Sequence, residues 1–299
     1  MNQSIALRMN EIVKFIYKKQ SLILSMLLLI MLSSCFTFKV SDRKIENKFR
    51  KENLKARIYY EDYSGKRVRF IASKKIDTSL PTIIFIHGAP GAGKDYFKYV
   101  TDIDLNKKAN LITVDRLGYG YSDYGKAETS ITSQAESIYT IIENEQLDDV
   151  ILVSWSYGVA IPGKMNYLYP TISNNLMVAG AVSPKDEKFF ALGKLAHWKA
   201  TRWLFSKALR VSDREKWTHV DELTKMSEDW QHIKTPITYY HGTKDKIVPY
   251  KNMEFIVSKV PNKLLDTVSV KNANHFILFK NYDLIKRKLL KVLDNTITQ

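Results

Sequence analysis

Short runs of β-branched and aromatic residues recur along this chain and alternate with segments that favour helix. After an opening hairpin in ARIYYEDYSGKRVRFIASKK, the runs are PTIIFIHG, ANLITVDRLG, DVILVSWS, NLMVAGAVSP, PITYYHG and LDTVSVKNANH. Several of them are apolar at consecutive positions, which is typical of strands buried on both faces. One intervening segment carries an apolar helical stripe formed by Ile131, Ile138, Ile141 and Ile142. The alternation predicts an α/β fold in which helices flank a mostly parallel central sheet.

Residues 185–231 interrupt this alternation. They are rich in aromatic and basic side chains, favour helix and contain no clear strand, although they lie between two predicted strands. An insertion at this point would lie over the carboxyl ends of the strands, where α/β sheets bind ligands. We therefore predict a helical cap at 185–231, inserted into a core of residues 56–184 and 232–299. Four cap aromatic residues are expected mainly to pack the cap onto the core: Trp198, Trp203, Phe205 and Trp217.

The first 34 residues have the order of a secretory signal, in which basic side chains precede an uncharged apolar run. The run SLILSMLLLIMLSSCFTF contains LSSC, which resembles the lipobox of bacterial lipoproteins and ends at Cys35. This predicts a signal peptide over residues 1–34, a lipid such as palmitate on Cys35, and a membrane-anchored protein in the cell envelope, facing outside the cytoplasm. The alternative is an uncleaved anchor over residues 21–38, slightly shorter than the roughly 20 residues that span a bilayer.

The positive net charge of the chain favours binding to an anionic surface. The formal net charge is +15, and removal of residues 1–34, whose four basic and one acidic side chains carry +3, leaves +12. Such a protein is expected to lie favourably on an anionic membrane. Nucleic acid is not an expected partner, because the sequence contains no DNA- or RNA-binding motif. Residues 35–55 are rich in lysine and are predicted to form a solvated stalk, and the single cysteine excludes an intramolecular disulfide.

Ser156 lies in VILVSWSYG, between a predicted strand and a predicted helix. A serine hydroxyl becomes a good nucleophile when a base removes its proton and when its oxygen stands clear of the backbone at a sharp turn. A strand-to-helix elbow provides such a turn, but it needs small residues two positions before and two positions after the serine. Gly158 meets the second requirement, and Ser154 replaces the usual glycine at the first. The pattern S-x-S-x-G occurs often by chance, so it indicates a nucleophile only when other motifs of the same site are present.

Four further motifs accompany the elbow. IIFIHGAPGAG is similar to the HGxPG turn of the α/β-hydrolase superfamily, and VDRLGYGYSD resembles the D-R-x-G-x-G-x-S loop of the same family. HGTKDKIVP and NANHF resemble the segments that carry the acid and the histidine of that family. The five motifs follow one another in family order from Ile83 to Phe276. The chain therefore resembles the α/β-hydrolases over nearly the whole predicted core, and this resemblance implies their fold with a helical cap insertion.

The resemblance also implies a role for individual residues. Ser156 would be the nucleophile, His275 the general base, and Asp245 the carboxylate that orients the imidazole. The backbone N–H groups of Ala89 and Tyr157 would form the oxyanion hole. Asp245 is preferred because it follows a predicted strand in a turn, unlike the competing acids Asp213, Asp221 and Asp229.

The implied reaction is hydrolysis of a small ester or related acyl substrate through an acyl-enzyme intermediate. The serine at the elbow argues against epoxide hydrolases and haloalkane dehalogenases, which use aspartate there. The HGAPG turn is similar to that of proline iminopeptidases, so an aminopeptidase is an alternative. A second alternative is a non-catalytic binding protein on a hydrolase scaffold. It stays open because Val159 replaces a second glycine after the elbow and Pro162 falls early in the next helix. No cofactor or metal is expected, since the cap histidines lack ligand spacing.

Overall fold

A single eight-stranded sheet forms the centre of the described part of the molecule. The computed structural model describes residues 11–21, 24–25, 38–169 and 171–297. The strands are β1 (Arg57–Tyr63), β2 (Lys66–Ala72), β3 (Thr82–Ile86), β4 (Asn110–Asp115), β5 (Val150–Trp155), β6 (Ile172–Val178), β7 (Ile237–Gly242) and β8 (Leu265–Val270). Their spatial order is β1-β2-β4-β3-β5-β6-β7-β8. The β1–β2 and β2–β4 pairs are antiparallel and the other pairs are parallel.

Helices cover both faces of this sheet, and two further helices belong to the cap. They are α1 (Asp42–Lys51), α2 (Phe97–Val100), α3 (Ile103–Lys108), α4 (Ile131–Asn144), α5 (Ala160–Leu168), α6 (Ala191–His197), α7 (Lys207–Lys225), α8 (Lys251–Lys259), α9 (Ile277–Lys280) and α10 (Tyr282–Ile297). In β3, Ile84 and Ile86 join the core beneath α4, α5 and α8, whereas Ile83 and Phe85 join the core beneath α1, α2 and α10. Burial on both faces explains why these strands are apolar at consecutive positions. The predicted fold class is confirmed.

The predicted cap is present between β6 and β7. It consists of a 3-10 turn at Pro184–Asp186, α6, α7 and a 3-10 turn at Asp229–His232, with a further 3-10 turn between the two helices. The prediction that its aromatic residues pack it onto the core is wrong. Trp198 and Trp203 are 61% and 68% exposed, and Trp217 is also exposed. Phe205 is buried, but against Ala196 and other residues of the cap itself.

The predicted solvated stalk is wrong over residues 42–51. This segment forms α1, and its Ile45 and Phe49 are fully buried in the core. The rings of Phe49 and Phe97 meet edge to face at 5.3 Å, and Asp42 pairs with the buried Arg69 at 2.8 Å. Two apolar residues spaced by four form one stripe on a helix. The many lysines around them conceal this stripe in the sequence.

The predicted lipid attachment site lies outside the described residues. These exclude Cys35, the LSSC sequence and most of the apolar run, so the signal peptide and the anchor stay predictions. Residues 11–21 are helical and exposed. Among the residues that the structure does describe, no helix combines the length and the apolar character needed to cross a bilayer.

Candidate active site

Ser156 occupies a sharp turn between β5 and α5. Strand β5 ends at Trp155, a 3-10 turn covers Ser156–Val159, and α5 follows directly. Ser156 has a φ of 59°, in the left-handed region that costs free energy for a residue with a side chain. A Cβ atom on Gly158 would lie 2.5 Å from the carbonyl oxygen of His87, so a larger residue does not fit there. The local geometry is therefore that of a strained strand-to-helix elbow.

The two departures from the usual elbow sequence are accommodated by local packing. Val159 lies against Gly180, where an added Cβ would come within 2.6 Å of the Val159 Cγ1 atom. The missing side chain of Gly180 thus provides the space that Val159 requires. Pro162 is the third residue of α5, within the first turn, where a helix tolerates proline.

The structure brings Ser156, His275 and Asp245 into one hydrogen-bonded chain. The His275 Nε2 atom lies 2.9 Å from the Ser156 Oγ atom, and its Nδ1 atom lies 2.7 Å from the Asp245 Oδ2 atom. All three side chains are buried. Because a carboxylate only accepts hydrogen bonds, His275 donates through Nδ1 and presents the Nε2 lone pair to the serine hydroxyl. This arrangement suits the transfer of a proton from serine to histidine.

Neighbouring groups hold the Asp245 carboxylate and the His275 imidazole in place. The Oδ1 atom of Asp245 accepts hydrogen bonds from the N–H groups of Ile247 and Val248, each at 2.9 Å, which fixes the orientation of the carboxylate. Trp155 donates through Nε1 to the His275 carbonyl oxygen at 3.0 Å, and its ring lies 5.0 Å from the imidazole. No sequence motif indicates this role for Trp155, although the residue directly precedes Ser156.

The turn that carries Ala89 is held by a buried histidine. His87 Nδ1 donates to the Gly88 carbonyl oxygen at 2.7 Å, and its Nε2 accepts the Arg116 backbone N–H at 3.0 Å. Burial, assisted by the charge of Arg116, lowers the pKa of His87 well below its usual value, so the imidazole is neutral. A Cβ atom on Gly91 would lie 2.7 Å from the His87 Nδ1 atom, which explains the glycine.

The two predicted oxyanion donors border the same cavity as the serine. Ala89, Ser156 and Tyr157 all line a cavity of about 370 Å³ beneath the cap. Tyr157 is the second residue of the 3-10 turn that begins at Ser156, so its N–H has no partner within that turn. Within the described residues, no backbone carbonyl accepts a hydrogen bond from the Ala89 N–H. Neither N–H group therefore has a backbone partner in these segments, which is what a donor to an oxyanion requires.

The cap supplies most of the cavity wall. The cavity size is that of a small-molecule site, and its walls are mainly apolar. The apolar cap side chains that line it are Phe189, Phe190, Ala196, Phe205, Leu209 and Trp217. Sequence composition predicted an aromatic cap, but it did not indicate which side chains border the serine.

Two of the three competing acids, Asp213 and Asp229, have other partners. Asp213 accepts from the Trp217 Nε1 atom at 3.0 Å and pairs with His197, and Asp229 pairs with Lys164 at 2.7 Å. Asp221 lies in α7. Among the residues that the structure describes, no group of three or more histidine, cysteine, aspartate or glutamate side chains is arranged to hold a metal ion.

Known proteins share this fold and part of this sequence. Residues 81–171 match the family model described as the alpha/beta hydrolase fold. A candidate lipase from Acinetobacter baumannii superposes with a TM-score of 0.66 and 15% identity, covering 87% of this chain and 98% of that protein. A membrane phospholipase A described as a bacterial virulence factor superposes with a TM-score of 0.64 and 13% identity, covering 97% of this chain and 99% of that protein.

The curated relatives match over a shorter stretch. The mesoderm-specific transcript protein of Mus musculus is 25% identical over 143 residues, covering 44% of this chain and 42% of the relative. The chain thus spans less than half the length of this relative. Taken together, the sheet topology, the structural neighbours and the match over residues 81–171 show that the chain has the alpha/beta hydrolase fold.

Proposed function

We propose that this protein is a serine hydrolase that cleaves a small ester through an acyl-enzyme on Ser156. The observation that carries the proposal is the hydrogen-bonded chain from Ser156 through His275 to Asp245, whose serine lines a mainly apolar cavity. The candidate lipase and the phospholipase A among the structural neighbours support cleavage of an ester bond.

The proposed reaction has two halves. The Ser156 hydroxyl oxygen attacks the ester carbonyl carbon while His275 Nε2 takes its proton, and the backbone N–H groups of Ala89 and Tyr157 stabilise the oxyanion. Collapse breaks the bond to the alcohol, which leaves with the proton from His275. Water then attacks the acyl-enzyme, gives its proton to His275, and releases the acid as Ser156 regains its proton. Asp245 keeps the imidazole in the required orientation throughout.

The partners of the two cavity carboxylates favour an ester over a peptide with a free amino terminus. An ammonium group is bound best by a carboxylate that has no other hydrogen-bond partner. The cavity carboxylates of Glu187 and Asp213 are both engaged, Glu187 with Lys216 and His219, and Asp213 with His197 and Trp217. The aminopeptidase alternative would need one of these carboxylates to exchange partners.

A fluorescent fluorophosphonate tests the proposal. We expect it to label the wild-type protein and to leave Ser156→Ala unlabelled, with matching loss of turnover of 4-nitrophenyl acetate and butyrate. Circular dichroism on both proteins controls for folding. A folded wild type that neither reacts nor turns over esters would support a binding protein on this scaffold. Release of amino-terminal residues from a peptide panel, without ester turnover, would support the aminopeptidase.

The anchor at Cys35 is a separate proposal. Its support is the LSSC sequence after an apolar run and the net charge of +12 on the remaining chain. Expression with radioactive palmitate should label the wild type and not Cys35→Ser, and only the wild type should remain with membranes after a carbonate wash. Equal labelling of the two proteins would contradict lipid attachment at this residue.

A further inference from the structure

A second buried histidine borders the cavity and is not used in the proposed reaction. His219 lies on α7, is fully buried and lines the same cavity as Ser156. Its Nδ1 atom is hydrogen-bonded to the carboxylate of Glu187, which also pairs with Lys216. Burial by itself would raise the pKa of Glu187, but the hydrogen bonds and charges of His219 and Lys216 lower it to about 2. The carboxylate is therefore ionised and fixes Nδ1 of His219 as a donor.

Within the described part of the chain, the other nitrogen of this imidazole has no protein partner. Among the described residues, none forms a hydrogen bond with the His219 Nε2 atom, although that atom is buried. The imidazole lies 4.3 Å from the ring of Tyr157, centroid to centroid, and the two planes are inclined by 30°. Tyr157 follows Ser156 directly, so this contact holds the imidazole beside the elbow. A buried polar atom without a partner is costly, and in a binding cavity it is most simply satisfied by a ligand.

We propose that His219 Nε2 is the binding site for a hydroxyl group of the substrate. This proposal rests on the proposed ester hydrolysis and names its substrate class, an ester that carries a hydroxyl group on its acyl or its alcohol part. A hydroxyl group both donates and accepts hydrogen bonds, so it pairs with Nε2 whether that atom carries a lone pair or a proton. An amide N–H or a carbonyl oxygen would match only one of the two states.

The surroundings make such a hydrogen bond selective. The Nε2 atom is itself buried, so a substrate without the hydroxyl would leave it unpaired and out of contact with water. Sites built to bind a hydroxyl discriminate strongly against analogues that lack it. A purely structural role for His219 would be to help Glu187 and Lys216 connect the start of the cap to α7, and such a role would not depend on the substrate.

Matched ester pairs distinguish these roles. Methyl 3-hydroxybutyrate and methyl 3-methylbutyrate differ only by a hydroxyl in place of a methyl group on the acyl side. The esters 2-hydroxyethyl butyrate and propyl butyrate differ in the same way on the alcohol side. We expect wild-type kcat/KM to favour the hydroxyl ester of at least one pair by about tenfold, and His219→Phe to remove that preference. A preference that is unchanged in His219→Phe, or absent from both pairs in the wild type, would overturn the proposal.

Phe190→Leu is the matched control, because Phe190 lines the same cavity with an apolar side chain. It is expected to change kcat/KM for the two members of a pair by the same factor, so that their ratio stays constant. A ratio that falls in Phe190→Leu as far as in His219→Phe would count against a specific contact.

Binding to Ser156→Ala separates this proposal from the proposed function. Ligand-observed NMR titrations of that variant with the same four esters need no turnover and no variant of His219. Tighter binding of a hydroxyl ester with no wild-type ester hydrolysis would support the hydroxyl site and refute the hydrolase. Hydrolysis of all four esters, with equal affinities within each pair, would refute the hydroxyl site and leave the hydrolase standing.

Discussion

Arg116 of the core and Glu215 of the cap form a fully buried ion pair, with the Nη1 and Oε1 atoms 2.7 Å apart. Glu215 also accepts a hydrogen bond from the Tyr119 hydroxyl at 2.5 Å. The same guanidinium donates through Nε to the His87 carbonyl oxygen and through Nη2 to the Gly88 carbonyl oxygen, at 2.9 and 3.0 Å. One side chain therefore holds both the cap and the turn that precedes Ala89.

Replacement of Glu215 by alanine is expected to destabilise the protein strongly. It would leave the Arg116 guanidinium buried without its counter-ion, which costs about 3–5 kcal/mol of unfolding free energy. Urea unfolding followed by circular dichroism measures this loss. Lys107→Ala removes an exposed ion pair with Asp104 and should change stability by less than about 1 kcal/mol. Equal losses in the two variants would show that the buried pair contributes no more than a surface pair.

Asp245→Asn is expected to reduce kcat by a factor of roughly 10³–10⁴ without unfolding the protein. The Oδ1 position accepts two backbone N–H groups, so an asparagine would keep its oxygen there and turn its NH₂ group towards His275 Nδ1. The imidazole would then carry its proton on Nε2 and could not accept the proton of Ser156. Steady-state kinetics with 4-nitrophenyl butyrate and a thermal melt test both parts, and near-normal kcat would contradict the assignment.

Asp95 is expected to make the protein less stable as the pH rises from about 4 to about 6. Burial raises the pKa of Asp95 from 3.8 to about 6, against the opposing effects of the Ala92 N–H and Lys94. The folded protein thus keeps a proton that the unfolded chain has already lost, so the unfolding free energy falls over this range. Asp95→Asn should match the wild type near pH 4 and exceed its stability by about 3 kcal/mol at pH 7.

Urea unfolding of both proteins at several pH values between 4 and 7 measures this difference. Asparagine can still accept the hydrogen bond that the Ala92 N–H donates at 3.0 Å, so the comparison isolates the charge. A difference between the two proteins that stays constant with pH would mean that the carboxyl of Asp95 has an ordinary pKa.

Phe49→Ala is expected to lower the unfolding free energy by about 3–5 kcal/mol, because it removes a fully buried ring from the core beneath α1. Asn47→Ala changes an exposed residue of the same helix and serves as the control, with an expected effect within about 0.5 kcal/mol. Guanidinium unfolding of the two variants gives the comparison. If Phe49→Ala were as mild as its control, α1 would contribute little to the folded state.

Much of the fold and of the candidate site could be predicted because their signals are local. The consecutive apolar residues of β3 and β5 indicated strands buried on both faces, and the structure has them so. Ser156, Asp245 and His275 each lie in a short motif at the end of a strand, and the order of the motifs pointed to one fold. Parallel strands end at the same edge of a sheet, so residues distant in sequence were expected to meet there.

Tertiary structure alone decided what depends on contacts between distant elements. Residues 42–51 have the composition of a solvated segment, and only their packing against Phe97 and its neighbours shows that Ile45 and Phe49 are core residues. Glu215 is one of many charged residues in α7, and its partner Arg116 lies 99 positions earlier in the chain. Periodicity describes neighbours within one element, whereas burial and pairing are set by which elements pack together. The local motif around Ser156 was enough to predict a nucleophile there. The unpaired nitrogen of His219 became visible only in the tertiary structure, because it depends on how the cap packs against the elbow.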